Sequence, residues 1–169
     1  MKRLVLALVL LATSAFANGG PEITTVILVR HGEKAGPSGD VPLSEAGLAR
    51  ANELARVLEG VKLDAIYSTP FERTRKTVAP VAEKHGVKVE EVAAGKTYVE
   101  DLVKLIREKH EGDTVLVSGH SNTTPDVIRA LGATVPDMPD STYDDLFLVT
   151  LVKGGSAKLV SLRYGAPKR

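Results

Sequence analysis

A chain of 169 residues with 22 Lys and Arg against 21 Asp and Glu, 43% hydrophobic side chains and no cysteine has the size and make-up of one globular domain. The near-zero net charge excludes a general polyanion binder. The 4% aromatic content argues against a stacking platform for single-stranded nucleic acid or sugars, and the lack of thiols excludes disulfides, thiolate nucleophiles and Cys-ligated metals.

In chain order, Met1-Lys2-Arg3, the aliphatic run Leu4 to Leu11 and the small residues Ala15 and Ala17 form the pattern of a signal peptide. Cleavage is expected after Ala17, leaving one domain over residues 18–169. The apolar run is far shorter than the about 20 residues that cross a hydrocarbon core, so no stable membrane insertion is expected after cleavage. An exported chain, periplasmic or secreted, follows. Loss of Lys2 and Arg3 leaves 20 basic against 21 acidic side chains, so anion recognition must come from a few placed residues.

Thr25 to Val29 is an apolar, β-branched run too short for a helix and suited to a buried strand, and it ends at Arg30-His31. Gly36 to Pro42 reads as a loop. Ser44-Glu45 then opens a helix with an apolar stripe at Ala51, Leu54, Ala55 and Leu58, closed by Gly60. Asp64 to Tyr67 is a second strand. Thr69, Pro70 and Glu72 together look like a helix cap, first helical residue and capping box.

The helix so opened buries Val78, Val81 and Ala82 and ends at His85-Gly86, before a strand over Val87 to Val92. A helix from about Thr97 to His110 carries the stripe Tyr98, Leu102, Leu105 and Ile106. The strand Thr114 to Ser118 runs into Gly119-His120, and Thr124-Pro125 starts a helix to Leu131. After a Pro- and Asp-rich loop, Leu146 to Val152 and Lys158 to Arg163 pair as an antiparallel edge. Strands alternating with helices predict an α/β fold: a mainly parallel sheet with helices on both faces. His85 and His110, each at a helix C-terminus, read as end caps.

Ligand sites in such sheets lie beyond the carboxyl ends of the strands, where Arg30-His31 and His120 both fall. Arg73 adds a third contribution from the first turn of a helix, where free N–H groups and the helix dipole favour an anion. Two guanidinium forks that stay charged at any working pH match the oxygens of a phosphoryl group, and imidazole supplies a titratable nucleophile. His31, Glu33, His120 and a nearby Asp could also be drawn as zinc ligands. Two fixed positive charges would repel the cation, so neither metal nor cofactor is expected.

Four blocks, Arg30-His31-Gly32-Glu33, Leu43-Ser44-Glu45-Ala46-Gly47, Ser68-Thr69-Pro70-Phe71-Glu72-Arg73-Thr74 and Gly119-His120-Ser121-Asn122, resemble the histidine phosphatase superfamily, also called phosphoglycerate mutase-like. The resemblance implies a three-layer sandwich and a two-step reaction. In it His31 attacks phosphorus, a phosphohistidine forms, and water releases phosphate. A hydrogen bond from one ring nitrogen of His31 to a backbone carbonyl would leave the other free to attack.

Arg30, Arg73 and His120 would bind the phosphoryl oxygens, with Ser121 and Asn122 in support. Ser44 is read as a cap and not as a nucleophile. The proton donor is open among Glu90, Glu91, Glu100 and Asp101, with Glu33 favoured for its place just past His31; Glu33 could equally pair with Arg30 or Lys34. The short segments between elements leave little chain for a lid, favouring a phosphatase of small phosphorylated substrates over a phosphomutase. A non-catalytic phosphate-binding module would need the arginines but no histidine nucleophile.

Overall fold

Val26, Ile27, Leu28 and Val29 are each at most 1% exposed, because consecutive side chains on a strand point to opposite faces and here both faces are covered. In the computed structural model, which describes residues 22–153 and 155–167, they form the middle of β1 (Ile23–Arg30). The expected leader and its cleavage point lie outside the described residues.

The remaining elements are α1 (Glu45–Val57), β2 (Ala65–Ser68), α2 (Glu72–His85), β3 (Val89–Glu91), α3 (Tyr98–Lys109), β4 (Thr114–Gly119), α4 (Thr123–Ala130), β5 (Asp145–Val152) and β6 (Lys158–Arg163). They build one six-stranded sheet in the order β3-β2-β4-β1-β5-β6. The strands β3, β2, β4 and β1 run parallel, while β5 joins β1 antiparallel and carries β6 on its outer side. This is the expected α/β architecture, with the antiparallel addition at one edge.

Two apolar cores sit on the two faces. Val26, Leu28, Val115 and Val117 face Leu102 and Ile106 of α3 and Val127 and Ile128 of α4. Ile27, Val29, Ile66 and Leu116 face Leu54 and Ala55 of α1 and Val78 and Val81 of α2. Each fully buried aliphatic side chain of this kind contributes about 1.5–3 kcal/mol through removal from water. The rigid sheet therefore fixes the two strand ends that carry Arg30-His31 and Gly119-His120, and the register pairs Arg30 with Gly119 directly.

The start of α1 is as expected, with the Ser44 side chain accepting from the Gly47 N–H. The start of α2 is not. It begins at Glu72, Phe71 occupies the cap without a side-chain hydrogen bond, and Thr69 makes no capping box. The orphan Glu72 N–H donates instead to Asp40 Oδ1 at 2.8 Å, a cap supplied from a loop 32 residues earlier. The third strand is shorter than expected, Val89–Glu91, and lies at the sheet edge beside β2.

Gly32 and Gly47 meet where the chain leaving β1 passes under α1. A Cβ on Gly32 would lie 2.9 Å from the Gly47 carbonyl oxygen, and one on Gly47 would collide with the Glu33 backbone. Backbone touches backbone at this point.

Candidate active site

Beyond the carboxyl ends of β1, β2 and β4 lies a cleft of about 540 Å³, lined by Arg30, His31, Thr69, Arg73, His120 and Tyr143 among others. The four residues singled out from the sequence thus converge. The His31 and His120 ring centroids are 5.3 Å apart in an edge-on arrangement. Ser121 and Asn122, at the approach to α4, line the same cleft.

His31 is 3% exposed, and its Nδ1 lies 2.7 Å from the Gly32 carbonyl oxygen. A carbonyl can only accept, so Nδ1 carries the proton and Nε2 keeps its lone pair. Burial, with smaller contributions from His120, Arg30 and Arg73, pushes the His31 pKa down to about 3, which keeps this imidazole neutral across the physiological range. The loop after it is held from α2: Thr77 Oγ1 accepts from the Gly32 N–H at 2.9 Å and donates to the Arg73 carbonyl at 2.7 Å.

The two arginines are oriented by carbonyls and rings. Arg30 Nη1 donates to the Asp140 and Thr142 carbonyls at 2.8 and 2.9 Å, and its guanidinium lies 4.1 Å from the Tyr143 ring centroid. Arg73 donates to the Gly39 carbonyl at 3.2 Å and lies 4.3 Å from the Phe71 ring. Nearby carboxylates make only long contacts, Asp140 at 3.6 Å from Arg30 and Asp40 at 3.9 Å from Arg73. Among the described residues, the buried Nε atoms of both arginines have no hydrogen-bond partner. Two desolvated cations with donors to spare suit an incoming oxyanion.

His120 turns its Nε2 to Thr69 Oγ1 at 3.0 Å, and Thr69 Oγ1 lies 2.8 Å from Thr74 Oγ1. Phe71 packs edge-on against the His120 ring at 5.4 Å. Burial first, then Arg73, Arg30 and Lys34, lowers the His120 pKa to about 4.

Glu33 is not brought to the cleft. Its two carboxylate oxygens accept from Arg50 Nε and Nη2 of α1 at 3.0 and 2.8 Å, a buried fork that also holds the Tyr164 and Ala166 carbonyls through Arg50. So held and absent from the cleft lining, Glu33 is not placed for the expected proton-donor role, and its close ion pair is with Arg50. Glu90, Glu91, Glu100 and Asp101 are exposed and do not line the cleft, and Glu91 pairs with Arg75 at 3.2 Å. The cleft carboxylate is Asp140, whose Oδ1 accepts from Ser121 Oγ at 2.6 Å.

Sequence reasoning missed Asp140 and Tyr143, which sit in or just after a stretch read as linker, and missed Phe71 and Lys34. His85 and His110 do lie at helix ends, and His110 also bridges Tyr67 Oη and Asp113 through its two ring nitrogens. Among the described residues, no group of three or more His, Asp or Glu side chains converges in a way that could hold a metal ion. No helix among them is long and apolar enough to cross a membrane.

Residues 26–94 match the histidine phosphatase superfamily (branch 1). Over 77 residues the chain is 36% identical to an uncharacterized protein of Mycobacterium tuberculosis, covering 41% of this chain and 38% of that one. It is 34% identical over 87 residues to a 2,3-bisphosphoglycerate-dependent phosphoglycerate mutase of Methanosarcina mazei, covering 46% of this chain and 36% of that one. The matched region spans less than two fifths of the length of these relatives. The fold is like that of the protein histidine phosphatase SixA complexed with tungstate, at a TM-score of 0.65 and 23% identity over 82% of this chain and 96% of that one.

Proposed function

We propose that the protein is an exported phosphomonoester hydrolase that works without a metal, through a phosphohistidine on His31. The observation that carries this is the bond from His31 Nδ1–H to the Gly32 carbonyl, which leaves a neutral Nε2 in a cleft with two under-satisfied arginines. In the first step the Nε2 lone pair attacks phosphorus in line, the ester P–O bond breaks, and the leaving oxygen takes a proton. In the second, water attacks phosphorus, the P–N bond breaks, and inorganic phosphate leaves. Arg30, Arg73 and His120 hold the non-bridging oxygens, the two guanidinium groups offsetting the charge that builds on them, with Ser121 and Asn122 at the rim.

A phosphomutase is the second reading, supported by the named relative from Methanosarcina mazei. The loops around the cleft, over residues 34–43 and 135–143, are too short to form a lid that excludes water, which favours hydrolysis. The leader pattern over residues 1–17 supports export, and with it a small envelope or scavenged phosphomonoester as substrate.

The test is turnover of a panel of small phosphomonoesters in the presence of chelator, for wild type and His31→Ala. Wild type should release phosphate and yield an acid-labile, base-stable phosphoenzyme, and His31→Ala neither. Transfer to a second sugar phosphate in place of water would favour the mutase. Phosphate binding without turnover would favour a binding module.

A further inference from the structure

We infer that Thr69, backed by Thr74, is a positioning residue that holds His120 with its proton on Nε2 and so presents Nδ1 to the phosphoryl group. The consequence for catalysis rests on the phosphatase reading above; the geometry does not.

A buried chain of hydroxyls with one proton each fixes the tautomer. Thr74 Oγ1 lies 2.9 Å from the Thr69 carbonyl oxygen and 2.8 Å from the Phe71 carbonyl oxygen. Both are acceptors only, so the single hydroxyl proton of Thr74 is committed to them; otherwise three oxygens would face one another with no proton between them. Thr74 Oγ1 can therefore only accept from Thr69 Oγ1, 2.8 Å away. That uses the one proton of Thr69, whose oxygen can then only accept from His120 Nε2 at 3.0 Å. Thr69 and Thr74 are at most 1% exposed, so water does not offer either hydroxyl another partner. The chain runs one way, from imidazole to Thr69 to Thr74 to backbone carbonyls.

Among the described residues, Nδ1 is the His120 nitrogen left without a protein partner. The groups facing the ring are Arg73 from α2, Arg30 and His31 from the end of β1, Lys34 from the following loop, and the Phe71 ring. Beside it, Asp140 is tied to Ser121. With a cationic surround the free ring is neutral, so Nδ1 presents a lone pair to the incoming oxygens. A phosphate monoanion brings a proton that can lie between its oxygen and Nδ1, whereas a dianion sets two lone pairs against each other. The site therefore favours the singly protonated phosphate, a preference that fades as the second phosphate ionisation, near pH 6, is passed.

The experiment is long-range 1H–15N correlation of histidine-labelled full-length chain, with the His120 signals identified by their loss in His120→Gln. Free wild type should show the proton on Nε2, and titration with inorganic phosphate below pH 6 should add a proton at Nδ1. Thr69→Val should shift His120 towards the other tautomer and lower kcat about tenfold, the loss of one hydrogen bond's worth of orientation, while Thr69→Ser restores both. A wild-type spectrum with the proton on Nδ1 overturns the inference whether or not the variants fold. So does a folded Thr69→Val with the wild-type tautomer. If the tautomer is as stated and no ester is turned over, the phosphatase reading falls alone.

Discussion

Arg30 and Arg50 are equally buried, each 4% exposed, and their surroundings part them. Arg50 meets the Glu33 carboxylate through a two-bond fork and spends its other donors on the carbonyls of Tyr164 and Ala166. Arg30 has carbonyls and an aromatic face, a carboxylate no nearer than 3.6 Å, and a buried Nε with no partner. One cation is neutralised by its own chain; the other is desolvated and left under-compensated at the wall of a cleft. A buried charge is costly unless paired, so the unbalanced one marks where an outside anion belongs.

The contrast can be broken from either side. The largest effect is expected for Arg73→Ala, which removes the other under-compensated cation: kcat/KM should fall by about 10²–10³, the loss typical of one transition-state donor, with the melting temperature little changed. A stability loss without a rate loss would put Arg73 in the class of Arg50. Glu33→Ala should do the opposite. Leaving Arg50 unpaired is expected to cost about 3 kcal/mol in denaturant unfolding, while turnover per folded molecule stays near wild type. A collapse of kcat with stability intact would return Glu33 to the reaction.

The smallest effect concerns pH. Burial lowers the folded pKa of His31 to about 3 and of His120 to about 4, from 6.5 when exposed. Below pH 6.5 the unfolded chain therefore binds more protons, so stability is complete above that pH and is lost as it falls. One unit down, the loss should be about 1 kcal/mol for each histidine, and His31→Ala should make the slope shallower. The acid limb of kcat/KM should lie near pH 3–4. A limb at pH 6.5 would show that the free site is not dry.

The sequence makes legible whatever is set by local pattern. The α/β alternation, the closing antiparallel pair and the gathering of Arg30, His31, Arg73 and His120 at strand and helix ends all follow from periodicity and punctuation. The Nδ1–H bond of His31 was foreseeable too, since its acceptor is the next residue. Long-range choices were hidden. Thr69-Pro70 with Glu72 mimics a capping box, yet Asp40 takes the Glu72 N–H because the buried Thr69 hydroxyl is engaged by His120 and Thr74. Glu33 looks catalytic by proximity to His31, and only folding reveals Arg50 in front of it. Tyr143 and Asp140 follow or sit among prolines and aspartates that carry no periodic signal.

The contact between Gly32 and Gly47 joins two blocks that read as separate phrases in the sequence. Because Gly47 fills the space a Cβ on Gly32 would need, and the Glu33 backbone fills the space a Cβ on Gly47 would need, the two segments behave as one mechanical joint, comparable to a dovetail. A methyl group on either half cannot be absorbed by adjusting a side chain; it must push β1's exit away from α1, and with it the imidazole that the exit carries. The placement of His31 is thus governed partly from a helix that contributes nothing to the cleft lining, and any redesign of that helix's first turn is also a redesign of where His31 sits.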